Sequence, residues 1–156
     1  MRGIGKVYAI DIVDNKLALA KEFGAEYTIN ASKEDPIMVI KKVTKGMGTD
    51  IAIDTSGRPE AQVNAVKTPK KGGVVYILGE YPTLKIDISD FIHRHLTLKG
   101  GVYFPIKDYD KVLNILRRGK EDFEKIISHV FPLDKIDEAF RTFFEDNESI
   151  RVLIKP

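Results

Sequence analysis

The sequence contains no cysteine. That excludes disulfides, thiol nucleophiles and cysteine-ligated zinc. Tryptophan is absent and glutamine occurs only at Gln62, whereas Lys, Glu and Ile are abundant. This balance is consistent with a heat-adapted cytoplasmic protein. Long apolar runs are missing too. A stretch such as Gly73-Val74-Val75-Tyr76-Ile77-Leu78 is far too short to span a bilayer. The segment Met1-Arg2-Gly3-Ile4-Gly5-Lys6 has no apolar signal core, so secretion is not expected. Nor is there a block of one charge. The 25 basic and 23 acidic side chains intersperse to a formal +2. Nucleic-acid and membrane partners are therefore not expected. What remains is a chain of 156 residues, 43% hydrophobic and 31% charged. Those values fit one soluble domain with a single core.

Apolar runs alternate with amphipathic segments. Lys6-Val7-Tyr8-Ala9-Ile10-Asp11 reads as a buried strand ending in an acid. Asp14 then caps a helix with Leu17, Ala20 and Phe23 on its apolar side, stopped by Gly24. Residues 26–30 form a short second strand. Asp35-Pro36 starts the next helix, with proline where no amide donor is missed. Residues 50–54 form a third strand. Thr55-Ser56-Gly57-Arg58-Pro59 turns into a helix through Val63 and Val66, broken by Pro69, Gly72 and Gly73. The run 74–78 is apolar on both faces, as in a parallel sheet covered on both sides. Leu96 to Gly100 reads as a fifth strand. Tyr109, Val112, Leu113 and Leu116 mark an amphipathic helix closed by Gly119. Ile136, Ala139, Phe140 and Phe143 mark another, capped by Asp134. Residues 150–154 form a terminal strand. This alternation predicts an α/β fold, a doubly wound and mostly parallel Rossmann-like sheet.

Ligands of such sheets sit past the carboxyl ends of the strands. Those ends carry Asp11, Asp54 to Gly57, and Leu78-Gly79-Glu80. An acid at a strand end suits adenosine-ribose recognition, because its two oxygens accept both ribose hydroxyl protons. A 2′-phosphate there would be repelled, so Asp11 favours NAD over NADP. Taken alone, the spacing fits an acid at a helix start better. Lys16 could cover the same ribose or approach the pyrophosphate. Gly79 permits close backbone approach to a flat ligand, although a turn glycine is the plainer reading. Arg151 could pair with a phosphate or stay solvated. His93 and His95 would share one face of a strand, but with no cysteine nearby and no third ligand they predict no metal site. His129, between Ile127 and Val130, reads as structural. No nucleophile–base pair is identifiable, so no catalytic residue is assigned.

Taken together, these segments resemble the C-terminal part of zinc-type medium-chain dehydrogenases, the family of alcohol, sorbitol and threonine dehydrogenases. The matching text runs from Val7-Tyr8-Ala9-Ile10-Asp11 through Phe23-Gly24-Ala25-Glu26-Tyr27. It continues with Asp50 to Gly57, Gly72 to Gly79 and Leu98-Lys99-Gly100, and closes with Ile127 to Leu133, Ile136 to Phe140 and Ser149 to Ile154. The resemblance implies an oxidoreductase fold that binds NAD. It gives Asp11 the ribose and Lys16 a supporting role. It places Gly57 and Arg58 on the adenine side, Leu78, Gly79 and Glu80 at the nicotinamide half, and Arg151 on the pyrophosphate. It also implies a homodimer or larger assembly through strand 96–100, an unpaired edge.

The departures from the family pattern are equally specific. The whole chain, 1–156, matches a single truncated dinucleotide-binding domain. Residues 102–156 match the tail that packs on the catalytic domain in the family. No counterpart is present for the zinc ligands, the proton relay or the G-x-G-x-x-G turn with its strand and helix. The resemblance therefore implies weak or lost NAD binding, no zinc ligands and no catalysis by this chain alone. The alternative is a non-enzymatic remnant, or a subunit of a split dehydrogenase. In the order 3-2-1-4-5-6 the absent strand lies between strands 6–11 and 50–54. Unpaired buried backbone groups cost about 1–3 kcal/mol each. Either those two strands close on each other, or another chain supplies the pairing. The apolar side of the tail, including Ile127, Val130, Phe131 and Phe143, should be partly exposed or used for association.

Overall fold

The computed structural model describes residues 5–80, 86–101, 105–118 and 122–156. In chain order the elements are β1 (Tyr8–Asp11), α1 (Asp14–Glu22), β2 (Tyr27–Asn30), α2 (Pro36–Val43), β3 (Thr49–Asp54) and α3 (Pro59–Lys67). They continue with β4 (Pro69–Ile77), α4 (Ile88–Arg94), β5 (Thr97–Gly100), α5 (Tyr109–Arg117), β6 (Ile127–Pro132), α6 (Ile136–Glu145) and β7 (Arg151–Lys155). Every ladder among them is parallel, in the orders β1-β2, β3-β4-β5 and β6-β7. The expected α/β class with parallel pairing is the observed one, although the described strands form three separate sheets rather than one. By contacts the chain divides into two compact units, Met1–Lys33 with Pro105–Pro156, and Glu34–Phe104.

In the first unit β1 pairs with β2 from Tyr8↔Tyr27 to Asp11↔Asn30. The two tyrosine rings stack at 5.3 Å. Helix α1 crosses between the strands and buries Leu17. Gly24 ends it at φ 97°, a conformation that glycine adopts without strain. Asp14 does not cap α1. Val13 holds the cap position without a side-chain bond, and Asp14 is the first helical residue. Its carboxylate instead accepts from Asn30 Nδ2 at 2.7 Å and from Lys33 Nζ at 2.5 Å. The sequence pattern places no strand at residues 127–132, yet β6 forms there and pairs with β7 in a second ladder. Ser128 stitches it: its Oγ accepts from Ile150 N at 2.9 Å and donates to the Arg151 carbonyl at 3.1 Å. Helix α6 packs on both strands and buries Ala139. Asp134 does not cap it either. It lies in a 3₁₀ turn, Leu133–Lys135, and Lys135 occupies the cap position.

In the second unit Asp35 caps α2, accepting from Ile37 N at 2.8 Å and Met38 N at 3.4 Å, and Pro36 follows as expected. Helices α3 and α4 flank a core of Ala65, Val66 and Val75, against which Ala52, Ile77, Phe91 and Leu96 pack. β4 begins at Pro69, earlier than the apolar run suggests, and its register against β3 shifts between Thr49 and Ile51. Polar Lys70 and Lys71 hide these strand residues from a hydropathy reading. Helix α4 likewise lies where the sequence pattern places no helix. Asp87 caps it, and the Arg94 guanidinium donates to the carbonyls of Val66 (3.0 Å), Lys67 (3.3 Å) and Pro69. The strand that would have aligned His93 and His95 is absent. His93 lies in the last turn of α4, and His95 follows it in the left-handed region at φ 51°.

Closure of strand 6–11 onto strand 50–54 is not seen among the described residues. β1 is bonded to β2, and β3 to β4. Each strand pairs with the one reached by its own helical crossover, α1 or α3, which is the low-entropy route to a parallel pair.

Candidate functional site

The sequence-predicted residues gather at two places, one in each unit. In the first, β1 delivers Asp11 to its carboxyl end. Asp11 Oδ1 accepts from Ile12 N at 2.7 Å and from Val13 N at 3.0 Å. These bonds fix the carboxylate plane. Oδ2 has no hydrogen-bond partner among the described residues. Lys16 follows on the first turn of α1, half-buried and without an ion pair there. Arg151 is exposed at the start of β7. Asn15 draws these groups toward one region. Its Nδ2 donates to the Glu148 carbonyl at 3.3 Å, tying the first turn of α1 to the turn just before Arg151. Nothing in the spacing announces that long-range contact. The Lys33 ammonium bonded to Asp14, with the Asn30 amide, holds the Asp14 carboxyl below the usual carboxylate range.

In the second unit the organising group is Asp54, only 4% exposed at the end of β3. Its Oδ1 accepts from Ser56 N at 3.1 Å and Ser56 Oγ at 2.7 Å, and its Oδ2 from Gly57 N at 3.3 Å. Its backbone carbonyl accepts from Leu78 N at 2.8 Å and Gly79 N at 3.1 Å. One residue thus brings Gly57, Leu78 and Gly79 together. The two glycines fit each other. A Cβ on Gly79 would lie 2.0 Å from Gly57 N and 2.8 Å from Asp54 Oδ2. A Cβ on Gly57, at φ 66°, would lie 2.6 Å from the Glu80 carbonyl oxygen. The space that glycine leaves at Gly79 is filled by the protein's own backbone, which by itself accounts for the residue. Leu78, Glu80 and Arg58 are exposed around this crossing.

Gln62, absent from the sequence-predicted set, belongs here. It is 1% exposed, and its Nε2 donates to the Gly79 carbonyl at 3.2 Å. Its Oε1 is buried without a partner among the described residues. The only hint in the sequence is that this is the chain's single glutamine, on the second turn of an otherwise apolar-facing helix.

The comparisons with known proteins bear on the whole chain. Residues 1–118 match the family model described as zinc-binding dehydrogenase. The chain belongs to the zinc-binding dehydrogenases. This dehydrogenase-family chain is 34% identical to an L-threonine 3-dehydrogenase of Bacillus velezensis over 141 residues, 88% of the chain and 41% of that protein. Among solved structures it superposes with TM-score 0.87 on an alcohol dehydrogenase from Thermus sp. ATN1, at 27% identity, covering 98% of the chain and 46% of that structure. A zinc-binding dehydrogenase from Sinorhizobium meliloti, bound to NADP, superposes at 0.85 with 25% identity, covering 99% and 46%. The chain therefore spans less than half the length of these relatives. The family implies zinc, and this chain's residues do not fit it. There is no cysteine, and among the described residues no group of three His, Cys, Asp or Glu side chains could hold a metal. Among them, too, no helix is long and apolar enough to cross a membrane.

Proposed function

We propose that the chain is the cofactor-binding part of an NAD-dependent zinc-type alcohol or polyol dehydrogenase, working in the cytoplasm and inactive by itself. The observation that carries this reading is Asp11. Its carboxylate stands at the end of a parallel strand with one oxygen anchored on two amides and the other open. That arrangement accepts hydrogen bonds from a ribose diol and repels a 2′-phosphate. Lys16 and Arg151 supply positive charge in the same unit for the pyrophosphate. In the other unit Gly57, Arg58, Leu78, Gly79 and Glu80 are the further cofactor-binding residues that the family resemblance implies. Bound nicotinamide would supply the hydride acceptor. The affinity is weak, because the glycine-rich helix start that holds a pyrophosphate has no counterpart here.

Calorimetric titration with NAD and NADP tests the reading. We expect dissociation constants on the order of millimolar or weaker, with NAD preferred, and loss of that preference in Asp11→Asn. Micromolar NAD binding would contradict the expected weakness, and alcohol-dependent NAD reduction by the purified chain would refute its inactivity.

A second reading is a non-enzymatic subunit of a split dehydrogenase, or a remnant that acts through assembly. Two features favour association. β5 is the outer strand of its sheet and all four of its residues are exposed, which suits edge-to-edge pairing into a homodimer. The outer edges of β1 and β3 likewise lack a ladder among the described residues, so a separate chain could add a strand there.

A further inference from the structure

Asn30 ends β2 beside Asp11, its register partner at the end of β1. It is 8% exposed, and all four hydrogen-bonding positions of its carboxamide are filled. Its Oδ1 accepts from Ser32 N at 2.9 Å and from Ser32 Oγ at 2.5 Å. Its Nδ2 donates to the Asp14 carboxylate at 2.7 Å and to the Ile12 carbonyl at 3.2 Å. These partners fix which way the amide faces. Turned over, its amino group would meet the Ser32 N–H, and its oxygen would meet the Ile12 carbonyl and the Asp14 carboxylate. Neither leucine nor aspartate can make this set of bonds.

The bond to Ile12 acts on one particular peptide. The Ile12 carbonyl and the Val13 N–H belong to the same planar unit, and in the trans form they point to opposite sides. Asn30 holds the oxygen of that unit, and Asp11 Oδ1 holds its N–H at 3.0 Å. The carboxamide and the carboxylate thus grip opposite ends of one rigid plate. The β1-β2 ladder stops one peptide short of it, where Ala31 N donates to the Asp11 carbonyl at 2.9 Å. Without Asn30 the plate is free to rotate and carry the Val13 N–H away from Oδ1. Asp11 would then keep only its bond from Ile12 N at 2.7 Å, about which the carboxylate can turn.

We propose that Asn30 is a positioning residue for Asp11, fixing the plane of its carboxylate and thereby setting the preference for NAD over NADP. The inference rests on the reading of Asp11 as the ribose acceptor. Hydrogen bonds weaken steeply when donor and acceptor are misaligned. A carboxylate free to turn loses affinity for the ribose diol of NAD, yet keeps the charge that repels a 2′-phosphate. Losing Asn30 therefore weakens NAD and leaves NADP nearly as it was. Asn30 itself touches no ligand in this role, because all of its bonding capacity is spent on the protein.

A double-mutant cycle tests it, with Asp11→Asn, Asn30→Leu and the combined variant of the full chain titrated with NAD and NADP by NMR. Circular dichroism checks that each remains folded. Asn30→Leu should weaken NAD binding about fivefold, the net contribution of one hydrogen bond, with NADP nearly unchanged. In the Asp11→Asn background the same substitution should change neither affinity. The Val13 amide should also exchange with solvent faster in Asn30→Leu than in the unmodified chain. Asn30→Asp keeps the acceptor for Ser32 and serves if the leucine variant unfolds. Its added charge alone would sharpen discrimination against NADP, whereas lost positioning lowers it, and the lower ratio is the expected one. Equal effects of Asn30→Leu in both backgrounds, or a sharper preference in Asn30→Asp, would overturn the positioning role and leave Asp11 as the ribose acceptor. If Asp11→Asn itself leaves the ratio of the two affinities unchanged, the reading of Asp11 fails and the role of Asn30 fails with it.

Discussion

A single buried carboxylate sets the geometry of the second unit's ligand-side loops. Asp54 has three donors on its side chain and two on its carbonyl, and among the described residues no other acid of that unit does comparable work. Asp54→Ala leaves Ser56 and Gly57 amides without an acceptor, so it should cost about 3 kcal/mol in urea unfolding. Asp54→Asn retains one acceptor oxygen and should cost less. Gly79→Ala forces a methyl to within 2.0 Å of Gly57 N, where neither backbone has room to retreat. We expect a loss of at least ~2 kcal/mol. Gly5→Ala is the control, since no heavy atom lies within 4 Å of its added Cβ. Equal unfolding midpoints for the two alanine variants would show that the glycine crossing is not tight.

At the scale of elements, helix starts decide most of the local structure. Asp35 holds two amides of α2, and Asp35→Ala should destabilise the protein by about 1 kcal/mol. Asp87 does the same for α4 through Ser89 N at 2.8 Å. The Ser89 side chain and amide hold the Asp87 carboxyl below its ordinary range. In the unfolded chain the group binds its proton at higher pH than in the folded chain. Its contribution is therefore complete above the unfolded value and is lost as the pH falls through the lower folded value. Asp87→Asn should flatten the acid-side decline of stability, which stability measured across the acidic range will show. The caps also mark where pattern reading stops short. Asp35 is an acid followed by Pro36, and both the cap and the helix are legible. Asp14 and Asp134 have the right residue type and miss the role, because Asn30, Lys33 and the 3₁₀ turn at Leu133 determine their surroundings.

At the scale of the molecule, exposed edges and faces dominate. β5 is an outer strand, so Leu98→Pro should remove an amide needed for edge pairing and lower the assembly mass if two sheets join there. An unchanged mass in gel filtration with light scattering would exclude that edge. Of the tail residues expected to be uncovered, Ile127, Val130 and Phe143 are 36%, 59% and 56% exposed, while Phe131 is half-buried in β6 beside the His129 ring.

The sequence by itself determined the alternation of strands and helices, the parallel fold and the family. Those depend on local periodicity and on side-chain types at short spacing, such as Asp11 closing an apolar strand or Gly24 stopping α1. Tertiary structure alone decided which groups meet. The β6-β7 ladder held by Ser128, the Asn15 bond to Glu148, the Gly57–Gly79 crossing and the burial of Gln62 join residues far apart in the chain. Helix α4 also needed it, because Arg94 caps the carbonyls of α3 from a distance. Such contacts leave no periodic trace, since their energy comes from desolvated hydrogen bonds and close backbone packing between segments whose proximity only the folded chain creates.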